Sequence, residues 1–500
     1  MGVKGNIALQ TSHTGFQYIV GIVGHPTTPD IAWSDEQMMR FRDAGINTLQ
    51  LNIAWGSRPA DEVLNLEDLE EPSKEHEWRR RIGQARRFGF RTLAHFGIPV
   101  GPQLDRTTCI LDPEVRSKYA RLIGSFFRRF PDVDDILIYT YDQDAWLCSE
   151  FGDCPRCQGV PLHERLTPFL EMLIDAVQDA KSGARFWWEP WELSAGQTLA
   201  IVDAIRPDHF GLILHHTIAE VQFVNTTDIW FRSLARLANR RGIPVVGEGF
   251  FGGSGEDIAP LTHLACPRLV HQELSALRGA EGVVGVKEYY GFVPAHFSVN
   301  IGMLTAFLKR PDASLPALLQ ELAAAYGPAS SALLAAWEDT AQAMEIFPWD
   351  ASWALRLYFD PQHRATLKIG AFGNVPNASW RTPAWESNRR GFYLVTDETD
   401  QHPWLREDVG LRARIAADRF RGAAAHLQQV SDVPQNLRED VRLQAHSVAV
   451  AAEASSLLSG SLLSALKTGR GRSADAVRQP THQPSNGSTP APAGTAVASA

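Results

Sequence analysis

Carboxylates, histidines and aromatic rings recur at the ends of short apolar runs in this 500-residue chain. In order they are His25, Asn52 and Trp55, His95, Asp142 and Asp144, Glu189 and Trp191, His215 and His216, Glu248, then Glu288 and Tyr289. Aromatic faces stack on C–H surfaces and carboxylates accept hydrogen bonds from hydroxyls, so the set suits a carbohydrate. Glycosidic cleavage needs two carboxyl groups flanking the bond. One stays protonated to serve the leaving oxygen; the other acts as nucleophile or activates water. Asp142, Asp144 and Glu150 follow one apolar run. Glu248 ends another, between Gly247 and Gly249, which leave space beside a ligand. Each residue also has a plainer reading. Glu248 can be scaffold paired to a basic neighbour, the two aspartates can form an Asx turn, and any one tryptophan can be core packing.

Metal chemistry has less support. A His-x-His pair after the first strand would suit a metal-dependent hydrolase, but Pro26 and Thr27 follow His25. Adjacent strand residues point to opposite faces, so only one of His215 and His216 can look into a shared site. His216 is taken as the substrate contact and His215 as a core histidine. Cys148-x5-Cys154-x2-Cys157, with His163 behind it, has the ligand types and part of the spacing of a zinc knuckle, though a second tight pair is missing. The alternative is reduced or locally paired cysteines that shape a loop. Cys109 and Cys266 read as buried and inert. No cofactor and no catalytic metal are expected.

The elements that must position these residues alternate. Strands are predicted over Tyr18–Gly24, Thr48–Ile53, Thr92–Phe96, Ile136–Tyr141, Arg185–Glu189, Phe210–His215, Pro244–Glu248 and Val283–Tyr289. Amphipathic helices separate them; the first opens on a Ser34–Gln37 capping box and stops at Gly45. Eight strand–helix units are the number that closes a parallel barrel. The expected fold is α/β, a (β/α)8 TIM barrel over residues 1–310, whose active sites lie at the carboxyl ends of the strands. A doubly wound open sheet is the runner-up, disfavoured because no G-x-G-x-x-G follows the first strand. A mainly helical region should occupy 311–470. It includes a helix capped by Ser314 and two long helices, the first with Leu411, Ile415, Phe420 and Leu427 on one face. The Ser/Thr/Pro/Ala-rich end, 471–500, should be a disordered tail.

Composition bounds the rest. Hydrophobic residues make up 44% and charged residues 21%, with a net charge of −9. That allows a large core and offers no basic stripe for nucleic acid. Five cysteines are no disulfide scaffold. No long uncharged apolar run and no secretory pattern are visible, so a cytoplasmic protein without membrane contact is expected.

The run from Ile138 to Cys157 resembles the strand-four loop of barrel glycoside hydrolases related to bacterial α-glucuronidases and hexosaminidase-like enzymes, and Ser149-Glu150 looks like the step that carries their general acid. Trp188-Glu-Pro-Trp191 resembles their aromatic-proline turn. Glu220-Val-Gln-Phe223 is similar to a stretch holding one of their base carboxylates. Lys287-Glu-Tyr-Tyr-Gly291 resembles another of their motifs, although it sits on strand eight rather than seven. The resemblance implies a glycoside hydrolase, and the residues and the resemblance together are read as an exo-acting one. Asp144 or Glu150 would be the acid and Glu248 the base or nucleophile, with Glu220 and Glu288 as competing partners. Trp55, His95, Asp142, Glu189, Trp191, His216 and Tyr289 would line the sugar pocket. Helices after the barrel often support dimerisation in these families, which implies a homodimer through the C-terminal helices. Two other readings stay open: a sialidase-like hydrolase in which His or Tyr takes one role and Arg106 or Arg156 meets a sugar carboxylate, and a non-catalytic carbohydrate-binding barrel.

Overall fold

The computed structural model describes residues 15–22, 34–51, 72–97, 108–140, 147–148, 150, 152–190, 193, 195–215, 227–249, 251, 264–288, 298–348 and 403–476. Eight parallel strands close into a barrel: β1 (Tyr18–Ile22), β2 (Thr48–Leu51), β3 (Arg91–Gly97), β4 (Asp135–Thr140), β5 (Phe186–Pro190), β6 (Phe210–His215), β7 (Val245–Gly249) and β8 (Val283–Glu288). The helices between them are α1 (Asp35–Asp43), α2 (Pro72–Arg87), α3 (Pro113–Arg129), α4 (Leu162–Ala180), α5 (Ala195–Ala204), α6 (Ile229–Arg240) and α7 (Pro267–Gly279), and α8 (Val299–Lys309) completes the eighth unit. The expected fold class is the observed one. Local signals explain the boundaries. Ser34 Oγ accepts from Gln37 N–H at 3.2 Å to start α1, and Gly45 turns the chain at φ +95° two residues past its end.

Closure depends on a close approach. Tyr18 pairs with Gly285 across the β1–β8 seam, where any Cβ on Gly285 would lie 2.4 Å from the Tyr18 carbonyl oxygen. Inside the barrel, Tyr18, Val20, Leu93, Leu137, Trp187, Ile213 and Val246 pack together with Val284 against them. The amino end is sealed by polar groups. Asp135 binds Arg91 at 2.9 Å and lies 3.5 Å from Trp187 Nε1, while Tyr18 meets Trp187 edge to face at 4.9 Å. The amino end of the interior is therefore filled.

Chain length is asymmetric about the barrel. Turns on the amino side are short, for example 44–47, 88–90 and 241–244. The carboxyl-side connections 52–71, 98–112, 141–161 and 250–266 are far longer. Long connections at that end are where barrel proteins build sites.

After α8 come α9 (Leu315–Ala324), capped by Ser314 Oγ, and α10 (Ser330–Ile346). Arg268 of α7 joins α10 to the barrel through Glu338 at 2.9 Å and Glu345 at 2.8 Å. Two long helices, α11 (Pro403–Gln428) and α12 (Arg438–Ala476), pack on each other and on α10. The face of α11 differs from the expected stripe: Ile415 is 45% exposed, while Ala413, Ala416, Ala417 and Ala423 are buried beside Phe420 and Leu427. Small side chains allow the helix axes to come close, and a pattern scored on large apolar residues misses them. Helix α12 continues to Ala476, past the Gly471 at which composition places the tail. Residues 477–500 lie outside the described residues. No described helix is long and apolar enough to cross a membrane.

A buried network fixes this helical unit. Tyr326 Oη donates to Asp440 at 2.7 Å, Gln444 Nε2 donates to Asp440 at 2.6 Å, and Trp337 Nε1 donates to Gln444 at 3.0 Å. Burial raises the Asp440 carboxyl to about 6, against the pull of these hydrogen bonds. The folded state thus holds this proton more tightly than the unfolded chain. Its contribution is full below about pH 4 and lost as pH rises through about 6. Asp440→Asn keeps an acceptor for Tyr326 and cannot ionise. Thermal midpoints measured across that window should vary less in the variant than in wild type and should exceed wild type near neutral pH; an unchanged slope contradicts the assignment.

Candidate active site

Alternation along the strands decides which side chains look inward. Stepping two residues towards the carboxyl end from Leu93, Trp187, Ile213 and Val246 gives His95, Glu189, His215 and Glu248. All four are buried. Strand β8 contributes Lys287, through an irregularity: Val245 pairs with Val283, but Val246 pairs with Gly285. The extra residue, Val284, shifts the phase of β8, so Lys287 points inward and Glu288 outward.

Lys287 Nζ donates to Glu248 Oε1 and lies 3.3 Å from Glu189 Oε2. His215 Nδ1 is 3.5 Å from Glu248 Oε2. One ligand atom from each of Glu189, His215 and Glu248 falls within 4.8 Å of the others. The rest of the layer is polar too. Gln50 of β2 is buried, and its Oε1 has no hydrogen-bond partner among the described residues. Thus five strands, β3 and β5 to β8, send titratable groups to one axis at the carboxyl end of the barrel.

Electrostatics separates these groups. Burial raises the Glu189 carboxyl, and the Lys287 charge opposes that. Burial pulls the Lys287 ammonium down, and Glu189 opposes that. His95 falls to about 3, first through burial and then through the Lys287 charge, so its imidazole is neutral at any physiological pH. Two carboxyl groups face one ammonium. A single proton on Glu189 leaves the three-residue set neutral, which is the state a buried cluster favours. Glu189, His215 and Glu248 also have the donor types of a metal site. Lys287, however, already supplies the cation between the two carboxylates, and a divalent ion there would meet its charge at close range.

The remaining sequence candidates lie elsewhere. Glu288 faces away from the axis and accepts from Phe251 N–H at 2.7 Å, which anchors the chain just after β7. Beside it, Glu273 of α7 is held well above the ordinary carboxylate range by burial and then by the Glu288 charge. Glu150 Oε2 accepts from Leu162 N–H at 2.8 Å, at the first turn of α4, and lies 3.8 Å from Arg165. That is a helix-terminus contact, where a negative charge meets the positive end of the dipole. Arg156 pairs with Asp112 at 3.1 Å. Trp55, Asp142, Asp144, Trp191, His216, Glu220 and Tyr289, with His25 and Arg106, lie outside the described residues.

The two glycines flanking Glu248 have a different reason from the one expected. A Cβ on Gly247 would sit 2.4 Å from Leu277, and one on Gly249 would sit 2.2 Å from the Glu273 carboxyl. Both glycines face α7, so they admit the helix and not a ligand. In the sequence His215 stands at a strand end but reads as a core histidine, and neither Lys287 nor Gln50 is among the candidate site residues. Parity with Ile213 singles out His215 and parity with Thr48 singles out Gln50. Lys287 had no such signal, because the phase shift in β8 is a feature of strand pairing.

No family model matches the sequence, and no curated protein matches it. Solved structures resemble it, one with a TM-score above 0.5. A GH138 enzyme targeting pectin rhamnogalacturonan II aligns with 91% of this chain at 11% identity and a TM-score of 0.57; this chain spans 60% of that one. An O-GlcNAc hydrolase of Thermobaculum terrenum aligns with 93% of this chain and 90% of its own at 14% identity, with a TM-score of 0.44. A family 5 xyloglucanase from Paenibacillus pabuli aligns with 59% of this chain and 99% of its own at 11% identity, with a TM-score of 0.40. The chain is a (β/α)8-barrel protein with a helical C-terminal extension.

Removing the ammonium tests the cluster. Lys287→Met leaves two buried carboxyl groups without their cation, at a cost of about 3–5 kcal/mol near neutral pH. The loss should shrink as the pH is lowered towards about 5, because protonation relieves the uncompensated charge. Thermal midpoints of wild type and variant at both pH values check this; an equal loss at both would show that Lys287 acts through packing alone.

Proposed function

We propose that this protein is an exo-acting glycoside hydrolase that cleaves by carboxylate acid/base catalysis, with Glu189 as the general acid and Glu248 as the nucleophile. The observation that carries the reading is the pair of buried carboxyl groups converging at the carboxyl end of the barrel, split in environment by one shared lysine. Burial holds Glu189 towards its protonated form, as a general acid requires. Glu248 is in direct contact with the ammonium, which steadies a carboxylate. Their nearest oxygens are within 4.8 Å. That is nearer the separation of about 5–5.5 Å found in retaining enzymes than that of about 6.5–9.5 Å in inverting ones, which favours retention. Neutral His95 can hydrogen-bond a hydroxyl without adding charge, and His215 lies beside Glu248 to help orient it. The long carboxyl-side connections offer enough chain to build a substrate site there. The likeness in fold to the pectin-targeting enzyme is consistent with this chemistry, although a barrel alone implies no activity.

The reaction follows from these roles. Glu189 gives its proton to the leaving oxygen as Glu248 attacks the anomeric carbon. The glycosyl–enzyme ester is then hydrolysed by water, whose proton returns to Glu189. Lys287 keeps the Glu248 carboxylate oriented and balances its charge.

Leaving-group dependence separates the two carboxylates. On a panel of chromogenic uronides, hexosaminides, sialosides and neutral glycosides, Glu248→Gln should lose activity on every member that wild type cleaves. Glu189→Gln should lose about 10²–10⁴-fold on poor leaving groups and far less on strongly acidic phenols, which need no proton. Sugar binding without turnover on any member would favour a binding barrel. Full activity in Glu248→Gln would remove that residue from the mechanism.

A further inference from the structure

Four of the five cysteines meet in one place. Cys109 stands between β3 and α3, and Cys148, Cys154 and Cys157 stand between β4 and α4. Their sulfurs lie within 4.8 Å of one another. Cys109 Sγ is 3.6 Å from Cys157 Sγ and 3.7 Å from Cys154 Sγ. A disulfide would require about 2.0 Å, and all of these cysteines are free thiols. The observed spacing is instead the edge of a tetrahedron: sulfurs each about 2.3 Å from a central zinc ion stand about 3.8 Å apart. Cys109 is only half buried and belongs to this group, whereas Cys266 is buried at the start of α7, apart from it.

The backbone is arranged to present these sulfurs. A parallel bridge joins Thr108 to Leu147, and Cys148 N–H donates to the Thr108 carbonyl at 3.1 Å. That contact sets Cys109 and Cys148 side by side. Cys154 to Cys157 form a tight turn, closed by the Cys157 N–H on the Cys154 carbonyl at 3.0 Å. The N–H groups of Arg156 and Cys157 also donate to the Cys154 sulfur. Such donors stabilise a thiolate in the way that hydrogen bonds around a metal site tune its ligands. Charge is matched as well. Four thiolates on a divalent ion carry a net charge of about −2. The Arg165 guanidinium, only 1% exposed, donates to the Cys148 carbonyl at 2.7 Å and the Val160 carbonyl at 2.9 Å beside them.

We infer that Cys109, Cys148, Cys154 and Cys157 form a structural zinc site that staples the β3–α3 connection to the β4–α4 connection at the mouth of the barrel. All four coordination positions are filled by protein, which marks a structural centre and not a catalytic one. As the ion binds, each thiol gives its proton to solvent and no electrons move. The stapled connection is the one that carries Glu150 and, in sequence, Asp142 and Asp144, so the metal would hold the rim beside the barrel axis. The inference does not depend on the glycosidase reading.

The test is metal analysis of the full chain produced with zinc and dialysed against a mild chelator. Wild type and Cys266→Ser should retain about one zinc per chain, while Cys109→Ser and Cys157→Ser should fall to near zero. Cobalt loading of wild type should give the thiolate charge-transfer band and the strong visible bands of a tetrahedral thiolate site. This readout does not depend on whether a variant folds. Wild-type protein with four reduced thiols that takes up neither metal would overturn the inference, as would a native disulfide from Cys109 to Cys154 or Cys157 found by peptide mapping.

Discussion

A buried ammonium held against two buried carboxyl groups sets the chemistry at the mouth of this barrel. Taking three ionisable groups out of water is costly unless each has a partner. Lys287 meets that requirement by touching Glu248 and reaching Glu189 across the axis. The arrangement depends on closure, because β5, β7 and β8 can aim at one point only when the sheet has no edge. Closure in turn rests on Gly285, the one residue type that lets β8 meet Tyr18. The amino end of the interior is filled by Tyr18, Trp187 and Asp135, so the inward titratable groups gather at the carboxyl end.

Support for this layer comes from outside the barrel. Glu288, one residue beyond Lys287, faces the opposite way and holds the chain after β7 through Phe251. Helix α7 packs against Gly247 and Gly249 and is tied by Arg268 to α10, which carries the α11–α12 pair. The C-terminal helices are therefore joined through packed elements to the strand that bears Glu248. On the other side of the mouth, the cysteine cluster joins the connections after β3 and β4.

The fold was legible because its signals are local. Alternation marks each strand, Ser34 and Ser314 mark helix starts, and eight repeats leave few architectures open. His95, Glu189 and Glu248 were legible for the same reason: each follows an inward apolar residue by two. Lys287 was not, because one added residue in β8 exchanges the roles of Lys287 and Glu288 and leaves no trace in composition. His215 follows inward Ile213 by two in the same way, but taking His216 as the contact reads the phase of β6 the other way round. The Cys148, Cys154 and Cys157 spacing was visible, but Cys109 reaches them only through the Thr108–Leu147 bridge, a contact between distant parts of the chain.

The measurement that bears most directly on the account is covalent trapping. Full-length protein would be incubated with activated 2-deoxy-2-fluoro glycosides of the sugar classes it cleaves, then digested and mapped by mass spectrometry. The account predicts a stable glycosyl adduct on the peptide that contains Glu248, and on that residue within it. An adduct on Glu150, Asp144 or another carboxylate, or turnover with inversion and no adduct, would contradict it.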